Sequence, residues 1–330
     1  MSITQAKVAI ITITYNSSHF INDYLLSISP FLSTSSHHLV IVDNASSDNT
    51  CEILEQYMEN HQLTGNMTVV KLTQNIGFGK GCNRGAEAAR SFNPTHLWFL
   101  NPDTRVFKNS GQNLLSLLEN TDKQVDFAGS VLVNRQGSPR SGAFRFPGLM
   151  NVFLSNMQLG ILDKLFKQYT TATTIQDQPY QADWLTGASF MTKAECFYQL
   201  QGFDPYYFLY YEEVDLFYRA KAQGYSVWAC PESQIFHISG ASTGINNRKK
   251  IAKRLPSYWF ESRRHYYLSN YGKLYFFIVD IIFIVSHTIW TIRATIQKKR
   301  IETPPYLISD TIKHSLLYRL LTRKHRHKSG

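Results

Sequence analysis

Lys7-Val8-Ala9-Ile10-Ile11-Thr12-Ile13-Thr14-Tyr15-Asn16 runs from a block of β-branched and apolar residues into a polar end. It is the first of four short β-rich runs, at Lys7 to Thr14, His38 to Asp43, Thr68 to Leu72 and His96 to Leu100. Between them lie helical stretches that start near Ser18, Asp48 and Lys80. Strands alternating with helices predict a parallel sheet covered by helices.

The outward reading from this block is of a Rossmann-like nucleotide-binding half over residues 1–104. Ligands of open α/β sheets bind at the carboxyl ends of the strands, where this sequence is polar. The first run ends in Thr14-Tyr15-Asn16 and the second in Val42-Asp43-Asn44-Ala45-Ser46-Ser47-Asp48. Asp43 could accept a hydrogen bond from a base N–H or a ribose hydroxyl; a purely structural reading makes Asn44 and Ser46 a turn and Asp48 a helix cap. Asn75-Ile76-Gly77-Phe78-Gly79-Lys80-Gly81-Cys82-Asn83 is a glycine-rich loop entering a helix, where backbone N–H groups can meet an anion. It follows the third strand and lacks a Gly-Lys-Ser/Thr ending, which counts against P-loop and dinucleotide readings.

The fourth run ends in Asn101-Pro102-Asp103, which is either an ordinary turn or a carboxylate placed to ligate Mg2+ or Mn2+ on a diphosphate. A further strand is expected at Val125 to Val133, then an aperiodic region from Pro147 to Gln181 that could be a lid or acceptor loop. Trp184 to Thr192 reads as ordered again, and strands follow at Ser226 to Ala229 and Gln234 to His237. Between these lies Tyr210-Tyr211-Glu212-Glu213-Val214-Asp215, three acids opening a helix that ends before Gly224. The helix dipole alone favours acids there, but clustered carboxylates beside aromatics also suit a base that takes a proton from a sugar hydroxyl. His237 could complete a metal site or bind phosphate, although a lone histidine is commonly structural.

In this order the motifs resemble the inverting GT-A glycosyltransferases of family 2, and among them bacterial rhamnosyltransferase-like enzymes of O-antigen and cell-wall polysaccharide assembly. The resemblance spans Val8 to Gly244 and also rests on Trp184-Leu185-Thr186-Gly187-Ala188 and Gly202-Phe203-Asp204. It implies a nucleotide-diphosphate sugar donor and a divalent metal, Mg2+ or Mn2+. Thr14, Asn16 and Asp43 would line the base pocket, with Asn75, Gly77 and Asn83 at the ribose and diphosphate. Asp103 would hold the metal, helped by His237, while Asn101 replaces the family's usual first acid. Glu213 stands where the family has its catalytic base, with Glu212 and Asp215 as alternatives; Trp184, Gly187 and Ala188 would border acceptor and sugar. L-Rhamnose from dTDP-rhamnose is the expected donor. UDP-linked galactofuranose or glucose, or an inactive nucleotide-binding scaffold, are the rivals. A processive synthase is disfavoured because none of the five tryptophans follows an arginine.

The expected organisation is a mixed-sheet catalytic domain over residues 1–245, with an acceptor half at 105–245, and a helical, membrane-associating extension at 246–330. A chain of 330 residues with 43% hydrophobic content can bury a large core, so general disorder is excluded. Four widely spaced cysteines without metal-site spacing read as reduced. The apolar run Val8 to Ile13 is too short for a signal sequence. Residues 1–247 hold 16 Lys and Arg against 20 Asp and Glu, whereas residues 248–330 hold 18 against 4. A basic tail of this kind meets nucleic acid or anionic lipid. The apolar stretch Leu274 to Ile292 favours lipid over nucleic acid, and a lipid-linked saccharide as acceptor. Asp280 within it would cost about 2.5–3.5 kcal/mol in a spanning helix, and Asp280, His287 and Thr291 share one side. An interfacial helix beside Lys298, Lys299 and Arg300, at the cytoplasmic face of the membrane, is expected; a helix buried against the catalytic domain is the alternative.

Overall fold

The computed structural model describes residues 7–32, 36–61, 65–238, 253–301, 303–316 and 318. The strands are β1 (Val8–Thr14), β2 (His37–Asp43), β3 (Met67–Lys71), β4 (His96–Leu100), β5 (Thr104–Val106), β6 (Phe127–Val133), β7 (Pro139–Arg140), β8 (Ala143–Phe144), β9 (Tyr180–Gln181), β10 (Trp184–Leu185), β11 (Ser189–Lys193) and β12 (Val227–His237). The helices are α1 (Ile21–Leu32), α2 (Thr50–Asn60), α3 (Phe78–Ala89), α4 (Ser110–Leu118), α5 (Leu149–Met157), α6 (Gly160–Leu165), α7 (Ala194–Gln199), α8 (Glu212–Ala222), α9 (Ser257–Asn270), α10 (Gly272–Ile296) and α11 (Leu307–His314).

The described residues fall into two compact units. The first comprises the described residues within 1–144, 172–208 and 212–244; the second comprises those within 145–171, 209–211 and 245–330. Residues 145–171, placed in the acceptor half from sequence, group with the C-terminal helices.

In the first unit the main sheet runs β3-β2-β1-β4-β11-β6-β12-β5, with β7 on β6 and β9 on β12. β3, β2, β1 and β4 are parallel, and β11 is antiparallel to both β4 and β6. All seven residues of β1 are buried, because a strand covered by helices on both faces has no solvent side. The order 3-2-1-4 reverses chain direction of travel at β1, and the crevice beyond the carboxyl ends of β1 and β4 is where such sheets bind ligands. Helix α3 lies close over β1: a Cβ at Gly85 would come within 2.5 Å of Ile11, and one at Gly81 within 3.0 Å of Ile13. These two glycines of the glycine-rich segment therefore serve helix–sheet contact.

The helix starts expected at Ser18, Asp48 and Lys80 lie at Ile21, Thr50 and Phe78. Asp48 accepts hydrogen bonds from the Ser18 N–H and from the Thr50 N–H and hydroxyl, tying two loops as well as the start of α2. The two strands expected at 226–229 and 234–237 are one strand, β12, irregular between Cys230 and Gln234. Trp184 to Thr192 is instead broken into β10 and β11.

In the second unit, the region read as aperiodic contains α5 and α6, too short for a clear period. α9, α10 and α11 form the rest of its described part. The interfacial stripe expected from Asp280 and His287 points inward: both side chains are buried, and Asp280 is ion-paired with buried Arg263 at 2.6 Å. The basic stretches 248–252 and 319–330 lie outside the described residues.

Candidate active site

Thr14 ends β1 and Asp43 ends β2, and the Thr14 hydroxyl donates to Asp43 Oδ1 at 2.9 Å. Asp43 also accepts the Ser46 N–H at 2.9 Å and the Ser46 hydroxyl at 2.5 Å. Asn16, at positive φ, donates its N–H to Ser46 Oγ, and its Oδ1 accepts the Ser47 N–H at 2.8 Å. The carboxylate of Asp43 is thus largely occupied in holding two strand ends together, a use the sequence left open beside base recognition.

Asn44 carries this lattice to the glycine-rich loop. Its Nδ2 donates to Asn75 Oδ1 at 3.0 Å and to the Gly77 carbonyl at 3.1 Å, and its Oδ1 accepts the Ile76 N–H at 2.9 Å. Asn75 Oδ1 also accepts the Gly77 N–H. Gly77 has φ of 90°, and a Cβ there would lie 2.2 Å from the Phe208 carbonyl oxygen, so only glycine fits. Asn83, expected at the diphosphate, uses both ends of its amide on the backbone of Phe203, at 2.8 and 2.9 Å. Its side chain fastens the 203–208 loop to α3.

The acids at the start of α8 separate by environment. Asp215 is buried, paired with Arg219 at 2.8 Å and accepting from the Tyr207 hydroxyl. Arg219 spans onward to the carbonyls of Leu200 and Gly202. This clasp was not recognised from sequence, although Asp215 and Arg219 at i,i+4 were its visible signal. Glu212 and Glu213 differ, because the Oε2 of each is shielded from solvent without a hydrogen-bond partner. Burial first, then the Glu213 charge, pushes Glu212 well above the ordinary carboxylate range. Burial also raises Glu213, opposed by backbone N–H groups including that of Gly187 and by a hydrogen bond with Glu212. Both carboxyls are thus held above the ordinary range, Glu212 the more strongly, and the two lose their protons as a pair.

Gly187, in the turn between β10 and β11, has its Cβ direction 3.7 Å from Glu213 Oε1 and 3.1 Å from the Phe78 ring. Ala188 accepts the Asn101 N–H at 3.0 Å, joining this turn to the end of β4. Trp184 stacks on Phe144, ring centroids 4.3 Å apart. After Asn101, Asp103 lies buried with its Oδ1 3.3 Å from His237 Nε2, while β5 pairs Thr104 with His237. Asp103 and His237, far apart in sequence, are an oxygen and an imidazole donor held side by side. Among the described residues no three or more His, Cys, Asp or Glu are grouped so as to hold a metal ion, so these two would leave most of a cation's coordination to a diphosphate and water, as Mg2+ in nucleotide sites commonly does.

Hydrogen bonds thus join Thr14, Asp43, Asn44, Asn75 and Gly77 beyond the ends of β1 and β2, while Gly187 meets Glu213, Ala188 meets Asn101, and Asp103 meets His237. With this geometry in place, residues 9–211 match the family model described as glycosyl transferase family 2. The chain belongs to glycosyl transferase family 2. It is 25% identical over 271 residues to the N-acetylglucosaminyl-diphospho-decaprenol L-rhamnosyltransferase of Mycobacterium tuberculosis, covering 78% of this chain and 84% of that protein. The mannosyltransferase PcManGT from Pyrobaculum calidifontis, in complex with GDP-Man and Mn2+, superposes with a TM-score of 0.55 at 14% identity over 97% of this chain and 84% of its own. GalNAc-T7 with UDP, GalNAc and Mn2+ gives 0.58 at 14% identity, covering 96% of this chain, which spans 57% of that one. The fold of this family 2 glycosyltransferase is GT-A, as the motif order implied.

Proposed function

We propose that this glycosyltransferase moves one L-rhamnose from dTDP-rhamnose to a hydroxyl of a lipid-linked saccharide, with inversion, at the cytoplasmic face of a membrane to which it is peripherally bound. The observation that carries the reading is the Glu212–Glu213 pair, in which the Oε2 of each is shielded from solvent without a hydrogen-bond partner, with Glu213 beside the Gly187 turn. Glu213 takes the acceptor proton as the hydroxyl oxygen attacks the anomeric carbon and the bond to the diphosphate breaks. Glu212, keeping its proton, donates to Glu213 and holds it as the ionised partner. The Thr14–Asp43–Asn16 lattice shapes the base pocket, while Asn75 and Gly77 fix the loop that enters α3, beside which the ribose and diphosphate would lie. Asp103 and His237 would hold Mg2+ or Mn2+, which when bound neutralises charge on the departing diphosphate. The rhamnosyl donor and the lipid-linked acceptor are supported by the name of the mycobacterial relative, whose acceptor carries a decaprenol.

Thermal unfolding with dTDP, UDP and GDP, each with Mn2+ and with EDTA, tests the donor class. A ligand at about a hundred times its Kd adds roughly 2.7 kcal/mol. Stabilisation by dTDP that needs the metal is expected; stabilisation by UDP alone would replace the donor, and none by any nucleotide would overturn the reading.

A further inference from the structure

Helix α10 is the one described helix long and apolar enough to cross a membrane, but it is two-faced. Its buried residues include Phe276, Asp280, Phe283, His287 and Trp290. Asp280 pairs with Arg263 of α9, whose guanidinium also faces the rings of Tyr267, Phe276 and Phe283 at 5.2 to 5.5 Å. A helix crossing the bilayer would have to take this ion pair and the packed neighbours α5 and α9 into hydrocarbon with it. The opposite face is open: Leu274, Ile281, Val285, Ile289, Ile292 and Ile296 are exposed, the two outermost at 74% and 75%. At 100° per residue these six fall within about 80° of arc, so they form one straight aliphatic ridge on a helix about 37 Å long.

Charge says what covers the ridge. From Gly272 to Ile301 the only carboxylate is Asp280, turned inward, whereas Lys298, Lys299 and Arg300 follow the ridge's end, all exposed. At the same end the Arg293 guanidinium bonds the carbonyls of Met157 and Gln158 at 2.9 Å. α6 starts two residues on and carries exposed Ile161, Lys164 and Leu165. Uniform aliphatics rimmed by cations, with no outward carboxylate from Gly272 to Ile301, match acyl chains beneath anionic headgroups.

We infer that the outward ridge of α10, with the exposed residues of α6 and the cations after Gln297, lies flat in the headgroup region of an anionic phospholipid leaflet. This deepens the reading of a lipid-linked acceptor, and its test uses no sugar donor, so the two can fail separately. The test is flotation of the full chain with phosphatidylcholine vesicles, with and without phosphatidylglycerol. The wild type is expected to float with the anionic vesicles and to be released by salt. An Ile281→Glu, Ile289→Glu variant should bind about tenfold less or weaker, because partitioning scales with buried apolar area, while keeping its thermal unfolding and its nucleotide-induced shift. Should that variant fail to fold, Lys298→Glu with Lys299→Glu, on exposed side chains, still decides through reduced flotation on anionic vesicles. Wild-type protein that floats with neither vesicle, charge variants that float unchanged, or a dimer dispersed by the ridge variant without any vesicle binding would overturn the inference.

Discussion

At Glu213 and Glu212 the proposed chemistry turns on how the pair shares its protons. Replacing Glu213 by Gln should lower the transfer rate about 10²- to 10⁴-fold, the usual worth of a positioned base, with nucleotide-induced stabilisation intact. Glu212→Gln preserves a hydrogen-bond donor toward Glu213 and should cost far less. Because burial raises both carboxyls, the folded protein takes up protons: their contribution to stability is full below the ordinary glutamate value and is lost as pH rises through the raised folded values. Glu212→Gln should flatten that decline in a series of thermal melts against pH. At Gly77 the prediction is steric. Gly77→Ala forces a Cβ onto the Phe208 carbonyl at a positive φ, which should cost about 1–3 kcal/mol in denaturant unfolding.

At the scale of elements, α10 carries a prediction of its own. Asp280→Ala leaves the buried Arg263 charge without its counter-ion and should destabilise the protein by about 3–5 kcal/mol. Arg263→Met with Asp280→Leu should recover most of that loss, measured by urea unfolding. The same helix shows what a sequence withholds. Its length and apolarity were legible, and the share of a side between Asp280 and His287 was read correctly, but periodicity cannot say which face turns inward; a partner 17 residues away, Arg263, decides it. The early strands were legible because each is a self-contained apolar run. β10 and β11 were not separated, since the break at Thr186 to Ala188 follows from pairing with β8 on one side and β4 on the other. Likewise α5 and α6 hold too few turns to show a period.

Across the whole molecule, the motifs that mattered were short and weak singly, and the fold gives them meaning by lining them up at strand ends. The sequence named Asp103 and His237 from separate segments; their 3.3 Å contact comes from β12 lying beside β5. It could not foresee that Asn83 bonds the Phe203 backbone, 120 residues away, or that the Asp215–Arg219 pair, visible as an i,i+4 spacing, reaches on to the carbonyls of Leu200 and Gly202. The central proposal, that Glu213 is the base for transfer from a dTDP-sugar to a lipid-linked hydroxyl, is tested most directly by initial rates with dTDP-rhamnose, Mn2+ and a lipid-linked saccharide acceptor, comparing wild type with Glu213→Gln. The account predicts an inverted rhamnosyl product from the wild type and a variant slower by about a hundredfold or more that still binds dTDP; equal rates in the two proteins would contradict it.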